Sequence, residues 1–173
     1  MTGPAPSVTV RPATLDDVDA AVAVLAEVAG EGRWIGTEAP VDVEQRRRRM
    51  VEDVEREEAI VLVAEAGGQV VGELGLYLAR YGVADLGMAV AAGWRGRGIG
   101  SALLAEAIDR AGKAGAHKIA LQVWPHNSAA IALYERFGFE REGYLRRHYR
   151  RRSGELWDAV IMGLPLDSPG QPA

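Results

Sequence analysis

The sequence contains no cysteine, and this absence excludes several kinds of site at once. Thiol nucleophiles, thiolate zinc sites and disulfide frameworks are ruled out, and a chain without disulfides fits a reducing compartment. The first residues carry neither the basic start nor the apolar run of a secretory signal. Apolar stretches stay well below the roughly 18 residues that a membrane-spanning helix needs. These absences predict a cytoplasmic protein without a membrane partner.

Positive charge is not in excess, but it is locally concentrated. The chain has 20 Lys and Arg against 24 Asp and Glu, so its formal net charge is −4. Arginines cluster at 46–49 and again at 146–152. Proteins that bind nucleic acid carry a basic footprint over the whole domain, and we therefore expect no nucleic-acid partner. An anionic ligand, such as a phosphorylated cofactor or an acidic substrate, accounts better for these local clusters.

The length of 173 residues suits one domain with a core of its own. Both ends are rich in Pro, Gly and Ser, which predicts disordered tails at 1–7 and 166–173 around a domain at 8–165. Between the tails, strand and helix patterns alternate in the order β-α-α-β-β-β-α-β-α-β-β. This order predicts an α/β fold, with a mixed sheet and helices packed on it. The predicted elements are strands at 8–11, 59–64, 70–78, 85–90, 117–124, 141–150 and 156–163, and helices at 14–29, 42–56, 99–111 and after Asn127.

The most specific pattern is the glycine-rich turn WRGRGIGS at 94–101, between a predicted strand and a predicted helix. Its glycines let the backbone approach a ligand closely, because no Cβ stands in the way. They lie at a helix start, where several amide N–H groups lack an intrahelical partner, and such a site binds phosphate oxygens. Arg95 and Arg97 can add charge-assisted contacts, or be solvated beside the turn. From the turn alone, a structural turn without a ligand remains an alternative.

Two common phosphate-binding loops do not match this turn. A Walker A loop requires Gly-Lys-Ser/Thr after a first glycine and four residues, and the chain has none. The dinucleotide fingerprint G-x-G-x-x-G, counted from Gly96, requires a glycine where Ser101 stands. It also requires an acidic residue about 20 positions further on, and the strand at 117–123 has none. A nicotinamide or flavin cofactor is therefore not expected.

Two segments resemble the cofactor motifs of the GCN5-related N-acetyltransferase (GNAT) family. Residues 95–100, RGRGIG, resemble its pyrophosphate-binding signature Arg/Gln-x-x-Gly-x-Gly/Ala, which follows the fourth strand. Residues 127–139, NSAAIALYERFGF, resemble its second cofactor motif, and one helix and one strand separate the two as in the family. The resemblance extends from 8 to 164, and the segment 145–163 is similar to phosphinothricin- and amino-acid-acetylating members. It implies a mostly antiparallel central sheet and acetyl-coenzyme A (acetyl-CoA) as the co-substrate, with no metal.

The resemblance also implies roles for individual residues. The pantetheine arm would lie along the fourth strand, where an amide N–H near Met88 would polarise the thioester carbonyl and hold an oxyanion. Tyr134 occupies the general-acid position, from which its phenol would protonate the departing thiolate. Asn127 suits both a helix N-cap and a cofactor contact. The implied cofactor-binding residues are Met88, Ala89, Val90, Arg95, Gly96, Arg97, Gly98, Ile99, Gly100, Ser101, Asn127 and Ala130.

The general base stays open at this point. Some relatives carry Glu at the position of Ala84, whereas here Asp85 stands beside it. Because side chains alternate along a strand, we expect a bulge, common in this strand of the family, to bring Asp85 into place. Asp85 is therefore paired with Tyr134 as the predicted catalytic set. The alternatives are Glu73, Glu38, His148 and bulk water.

The acceptor site is predicted from the loop and terminal strands that line the acceptor side in this family. Its candidate residues are Trp34, Glu38, His148 and Tyr149, although each also suits boundary packing. The arginines at 146–152 favour an acceptor with a carboxylate, since Arg pairs bidentately with carboxylates. If the strand alternates regularly, only 146, 148 and 150, or else 147, 149 and 151, share one face.

The sequence therefore predicts an acetyl-CoA-dependent N-acetyltransferase whose partner is a small-molecule amine, amino-acid-like in character. One alternative is a protein acetyltransferase that acts on a lysine or an N-terminus. Another, of a different class, is a regulatory module that binds acetyl-CoA without turnover. The exposed edge expected of the two terminal strands would allow a homodimer.

Overall fold

The computed structural model describes residues 7–79 and 81–166, and the predicted tails lie outside these residues apart from Ser7 and Leu166. The described residues form the predicted α/β order, with most boundaries within two residues of prediction. The elements are β1 (Val8–Pro12), α1 (Val18–Gly30), α2 (Val43–Glu55), β2 (Ala59–Ala66), β3 (Gln69–Leu78), β4 (Val83–Val90), α3 (Ile99–Lys113), β5 (Lys118–Val123), α4 (Ser128–Arg136), β6 (Glu140–Arg150) and β7 (Leu156–Pro165).

Side-chain caps fix the starts of two helices. The carboxylate of Asp42 accepts a hydrogen bond from the Gln45 N–H at 2.9 Å, and α2 begins one residue later. The Asn127 side chain accepts from the Ala130 N–H at 3.3 Å ahead of α4. Both residues satisfy a backbone donor that has no partner within its helix. The N-cap interpretation of Asn127 is thereby confirmed.

The seven described strands form one sheet in the order β1-β2-β3-β4-β5-β7-β6. Neighbouring strands are antiparallel except for β4 and β5, which run parallel. This parallel pairing joins Val83–Asp85 to Lys118–Ala120 and does not extend further. From Leu86 onward β4 pairs with β3 alone, while β5 continues beside β7. The sheet therefore splays open between the carboxyl halves of β4 and β5.

Helices cover both faces of this sheet. Helices α3 and α4 pack on one face, with Leu62, Leu74 and Leu104 among the fully buried side chains of the main core. Helices α1 and α2 pack on the other face, around Val22 and Val63. Along β4, alternation directs Ala84, Leu86 and Met88 toward α3, and directs Asp85, Gly87 and Ala89 toward the α1/α2 face. At the splay, β4 therefore presents apolar side chains on the α3 side and Asp85, Gly87 and Ala89 on the α1/α2 side.

Candidate active site

The glycine turn has the backbone conformation that its composition predicts. Gly96 and Gly98 have φ values of 73° and 80°, in the left-handed region that L side chains rarely adopt. Gly98 is also the N-cap of α3. A Cβ built on either glycine would meet nothing within 4 Å. The backbone conformation, rather than crowding by protein atoms, therefore demands glycine here, and the space in front of the turn is open.

The first turn of α3 presents free amide groups to this space. The first helical hydrogen bond at this end runs from Ala102 N–H to Gly98 O at 3.0 Å, so the three preceding N–H groups have no intrahelical acceptor. Close packing fixes their position, because a Cβ on Gly100 would lie 3.1 Å from Leu133 Cδ2 and 3.6 Å from Met88 Cε. The arrangement fits a pyrophosphate at the helix N-terminus.

Arg95 is bound to protein groups at the end of α1. Its Nε donates to Val90 O at 3.0 Å, and Nη1 and Nη2 donate to the Glu31 carboxylate at 2.9 and 2.5 Å. Glu31 also accepts from Trp34 Nε1 at 2.6 Å. The Arg95 hydrogen bond and, to a lesser degree, that of Trp34 lower the pKa of Glu31. In this structure Arg95 joins the cofactor turn to the loop after α1, and its contact with phosphate stays a prediction.

A cation that the sequence analysis missed reaches the same turn from α4. Arg136 Nη2 donates to Ser101 Oγ at 2.8 Å, which places a guanidinium at the positive end of α3. Arg97, the predicted cation, lies with its guanidinium carbon 5.0 Å from the Trp94 ring centroid. Arg136 could have been found from the sequence, because it lies two residues after Tyr134 in the second cofactor motif.

The backbone of Met88, Ala89 and Val90 borders the splay. On the β3 side these residues pair with Leu74, Glu73 and Gly72. On the β5 side they lie beyond the last parallel pair, Asp85 with Ala120. Backbone groups that face the splay are therefore available to an extended ligand, which could add to β4 as a strand does.

Tyr134 projects from α4 into the core on the α3 side of the sheet. Its side chain packs at 5.6 Å, centroid to centroid, against Phe139, and the residue is 7% exposed. Burial raises its pKa to about 12. The phenol consequently keeps its proton at neutral pH, as a group that donates a proton to a thiolate must.

Asp85 reaches the accessible face of β4 without a bulge. The β3–β4 register is continuous from Leu78↔Ala84 to Gly72↔Val90, so the expected bulge is wrong. Ala84 is fully buried in the α3-side core, where a carboxylate would lose its hydration, whereas Asp85 is exposed opposite Tyr77. Simple alternation along β4 already exposes Asp85.

The four candidate acceptor residues come from two segments of the chain. Trp34 and Glu38 lie in the loop between α1 and α2, and His148 and Tyr149 lie on β6. Tyr149 Oη donates to Gln122 Oε1 on β5 at 2.5 Å. The His148 ring is 4.9 Å from the Tyr149 ring. Both segments therefore border the β5 side of the splay on the α1/α2 face.

Arg151, directly after β6, contacts the loop between α1 and α2. It is 6% exposed, its Nε lies 3.3 Å from Glu38 Oε1, and its Nη1 donates to Gly36 O at 3.1 Å. Its guanidinium carbon lies 4.4 Å from the Trp157 ring centroid and 5.3 Å from that of Trp124. Arg151 is therefore a structural anchor of the acceptor-side loop.

A bulge in β6 interrupts the alternation that the sequence analysis assumed. Leu145 pairs with Ala159 and Tyr149 with Trp157, so three residues, 146–148, stand opposite Asp158. Arg147 has a φ of 51°, and its N–H donates to Asp158 Oδ1 at 2.6 Å. This bond and one from Tyr144 Oη at 2.7 Å lower the pKa of Asp158. The predicted division of the arginines into two faces is thus wrong.

A model of the acetyltransferase (GNAT) family matches residues 25–139, which include both cofactor motifs and Tyr134. The chain belongs to the GNAT family. The predicted enzyme class, an N-acetyltransferase with acetyl-CoA as co-substrate, is thereby confirmed. The geometry of the glycine turn and of the splay fits that co-substrate.

Relatives of this GNAT protein include enzymes named for amino-acid substrates. L-amino acid N-acetyltransferase AaaT of Escherichia coli is 39% identical over 106 residues, which cover 58% of this chain and 65% of that protein, just under two thirds. L-methionine sulfoximine/L-methionine sulfone acetyltransferase of Pseudomonas aeruginosa is 27% identical over 166 residues, 93% of this chain and 96% of that protein. The crystal structure of ribosomal-protein-alanine N-acetyltransferase from Brucella melitensis is 33% identical, with a TM-score of 0.84 and coverage of 91% and 99%.

Residues 7–79 and 81–166 offer neither a metal site nor a membrane-spanning helix. No group of three or more His, Asp or Glu side chains in these ranges could hold a metal ion. Within the same ranges, each helix is too short or too polar to cross a membrane.

Proposed function

We propose that this GNAT enzyme acetylates the primary amine of a small amino acid or an amino-acid-like molecule. The observation that carries the proposal is the open splay beside Met88–Val90, with Tyr134 on one face of the sheet and Asp85 on the other. The names of the E. coli and Pseudomonas relatives support an acceptor of this class.

Each part of the site has a role in this proposal. Acetyl-CoA, when bound, supplies the acetyl thioester. The free N–H groups at 99–101 bind its pyrophosphate, with Arg136 adding positive charge, and the β4 backbone binds its pantetheine arm. Tyr134 holds a proton at Oη for the departing sulfur, and Asp85 accepts a proton from the acceptor amine at the mouth of the cleft.

The acceptor enters from the α1/α2 face, between the loop after α1 and the end of β6. Trp34 and Tyr149 supply apolar walls, and His148 and Glu38 lie at the rim. Three exposed arginines at 146, 147 and 150 surround this rim on β6, and they favour an acceptor that carries a carboxylate. The cytoplasm is the proposed location, and a homodimer the proposed assembly.

A second candidate is an acetyltransferase of protein N-termini. The match to the Brucella structure, at 33% identity over most of both chains, favours it. An N-terminal acceptor has an α-amine but no free carboxylate beside it. The two candidates therefore differ in what the arginines of β6 would recognise.

Steady-state kinetics with a thiol-release assay tests the choice. We expect a higher kcat/KM for amino acids than for their decarboxylated amines or for peptides with N-terminal alanine. Arg→Gln substitutions at 146, 147 and 150 should reduce this preference. A preference for the peptide would establish the second candidate, and a preference for decarboxylated amines that no substitution changes would contradict the carboxylate role.

A further inference from the structure

A buried polar cluster lies between the sheet and α2, on the acceptor side. It consists of Glu73 and Tyr77 from β3 and Arg46 and Asp53 from α2. Tyr77 Oη donates to Asp53 Oδ2 at 3.0 Å. Glu73 is 4% exposed, and the positive charge of Arg46 lies close enough to lower its pKa. Arg46 Nε is buried without a hydrogen-bond partner in the described part of the chain.

Such an arrangement is costly for a residue with only a structural role. A buried carboxylate loses most of its hydration, and a buried Nε without a hydrogen bond loses its hydration without compensation. The same face carries an apolar cluster that includes Met50 and Val63, and Val63 pairs with Glu73, so apolar residues could fill the same space. Groups held in this way are concentrated at functional sites. Glu73 and Arg46 are therefore candidates for a site that receives a polar ligand.

Strand register places Glu73 beside the expected acetyl position. Glu73 pairs with Ala89 on β4, and Met88, whose amide region would hold the thioester carbonyl, is the next residue. Both Glu73 and Ala89 point to the α1/α2 face, because the flanking residues Leu74 and Met88 belong to the α3-side core. The carboxylate thus lies on the face from which the acceptor enters.

Gly87 leaves open space on β4 between Asp85 and Ala89, the residue that pairs with Glu73. Gly75 and Gly87 face each other in register, between the Tyr77–Asp85 pair and the Glu73–Ala89 pair. A Cβ on Gly87 would meet nothing within 4 Å. A Cβ on Gly75 would lie 2.9 Å from Tyr77 Oη, so the tyrosine leans over its own strand toward Asp53. Tyr77 thus fills the space over Gly75, and the missing side chain of Gly87 leaves room for a small amine beside β4.

We propose that Glu73 is a catalytic base that removes the first proton from the acceptor ammonium, with Arg46 and Tyr77 as positioning residues. This inference rests on the proposed function. A protonated primary amine must lose two protons during acetylation. The first passes from the ammonium nitrogen to a Glu73 carboxylate oxygen, which leaves the lone pair free to form the C–N bond. The second leaves that nitrogen for Asp85 as the C–S bond breaks, and Tyr134 gives its proton to the sulfur.

The electrostatics of the cluster suit this role. Burial raises the pKa of Glu73 to about 7, and Arg46 opposes that rise. A carboxylate with a pKa near neutrality is ionised in a substantial fraction of the enzyme at pH 7 and is a stronger base than an ordinary glutamate. Tyr77 lies within electrostatic reach of Glu73, Asp53 is hydrogen-bonded to Tyr77, and Asp85 pairs with Tyr77 in the β3–β4 register. On α1, Asp19 pairs with Arg47 and Glu27 accepts from the Ala92 N–H.

The test compares Glu73→Gln with Glu57→Gln, an exposed glutamate after α2 that serves as the matched control. Three quantities are measured: kcat/KM for amino acids from pH 6 to 9, affinity for acetyl-CoA, and thermal unfolding. We expect Glu73→Gln to lose about 10²- to 10⁴-fold in kcat/KM near pH 7, with acetyl-CoA affinity unchanged. The deficit should shrink as pH rises, because the amine then arrives already neutral. Its unfolding temperature should equal or exceed that of the wild type.

A purely structural role gives a different pattern. Glu73→Gln would then unfold, or melt at a lower temperature and lose the same factor at every pH, and either result overturns the proposal. Activity within about threefold of wild type near pH 7 overturns it as well. Glu73→Asp, which keeps a carboxylate, should retain more activity than Glu73→Gln. If the wild type acetylates no amine, the proposed function itself fails, whereas the outcomes above leave that function standing.

Discussion

Replacing Arg151 tests whether the acceptor-side loop depends on a single buried anchor. The guanidinium pairs with Glu38, donates to Gly36 O and lies over Trp157 and Trp124. Arg151→Ala removes all of these contacts at once. Arg151→Lys keeps the charge but loses the planar group that stacks on aromatic rings and donates in two directions.

The structure sets the expected size of the effect. Removing one partner of a fully buried ion pair costs about 3–5 kcal/mol. Here the Glu38 side chain remains 24% exposed and also accepts from the Arg152 N–H at 3.0 Å, so part of that cost is avoided. Loss of the cation–π contacts adds about 1 kcal/mol. We expect Arg151→Ala to lower the free energy of unfolding by about 3 kcal/mol, or about 6–12 °C in Tm. Arg151→Lys should lose about half of this.

Denaturant and thermal unfolding measure the loss in free energy of unfolding. Steady-state kinetics measure the effect of the loosened loop on the acceptor site. Because Trp34 and Glu38 belong to the anchored loop, Arg151→Ala should raise KM for the acceptor while the Kd of acetyl-CoA stays unchanged. The exposed Arg150 supplies the matched control, and Arg150→Ala should change stability by less than about 0.5 kcal/mol. The reasoning is refuted if Arg151→Ala is as stable as Arg150→Ala.

Gly98→Asp should abolish binding of acetyl-CoA, measured by calorimetry, because it adds a side chain and a negative charge at a left-handed N-cap. Gly98→Asn is the control, since asparagine tolerates that backbone conformation. Intact binding by folded Gly98→Asp would contradict the assignment of the turn. Tyr134→Phe should keep acetyl-CoA affinity but lower kcat by about 10- to 10⁴-fold, and wild-type turnover would exclude Tyr134 as the acid. Between about pH 4.5 and 7 the wild type should lose up to about 3 kcal/mol of stability relative to Glu73→Gln, because the unfolded chain ionises Glu73 at lower pH than the folded chain does. Parallel stability profiles of the two proteins in denaturant titrations would show that the pKa of Glu73 is not raised.

The sequence alone identified those features whose physical cause is local. Helices and strands follow from the period of apolar residues. Asp42 and Asn127 indicated two helix starts, because the side chain of an N-cap accepts a hydrogen bond from a backbone N–H three residues further on. The glycine turn was recognisable for the same reason: left-handed φ values at Gly96 and Gly98 and the free amides of a helix start depend on adjacent residues. Tyr134 was recognisable through its motif.

Tertiary structure decided the features that join distant parts of the chain. The parallel pairing of β4 with β5 stops after three residues, whereas β5 pairs with β7 along its whole length, and no local pattern encodes the resulting splay. The bulge at 146–148 requires Asp158 on the neighbouring strand. It overturns the prediction that the arginines of β6 divide regularly between its two faces. From the sequence, Glu73 was only one of several alternatives for the general base. Its buried position near Arg46 depends on α2, which packs on β2 and reaches β3 through the hydrogen bond between Asp53 and Tyr77. A shift in pKa of that kind follows from desolvation by residues remote in sequence.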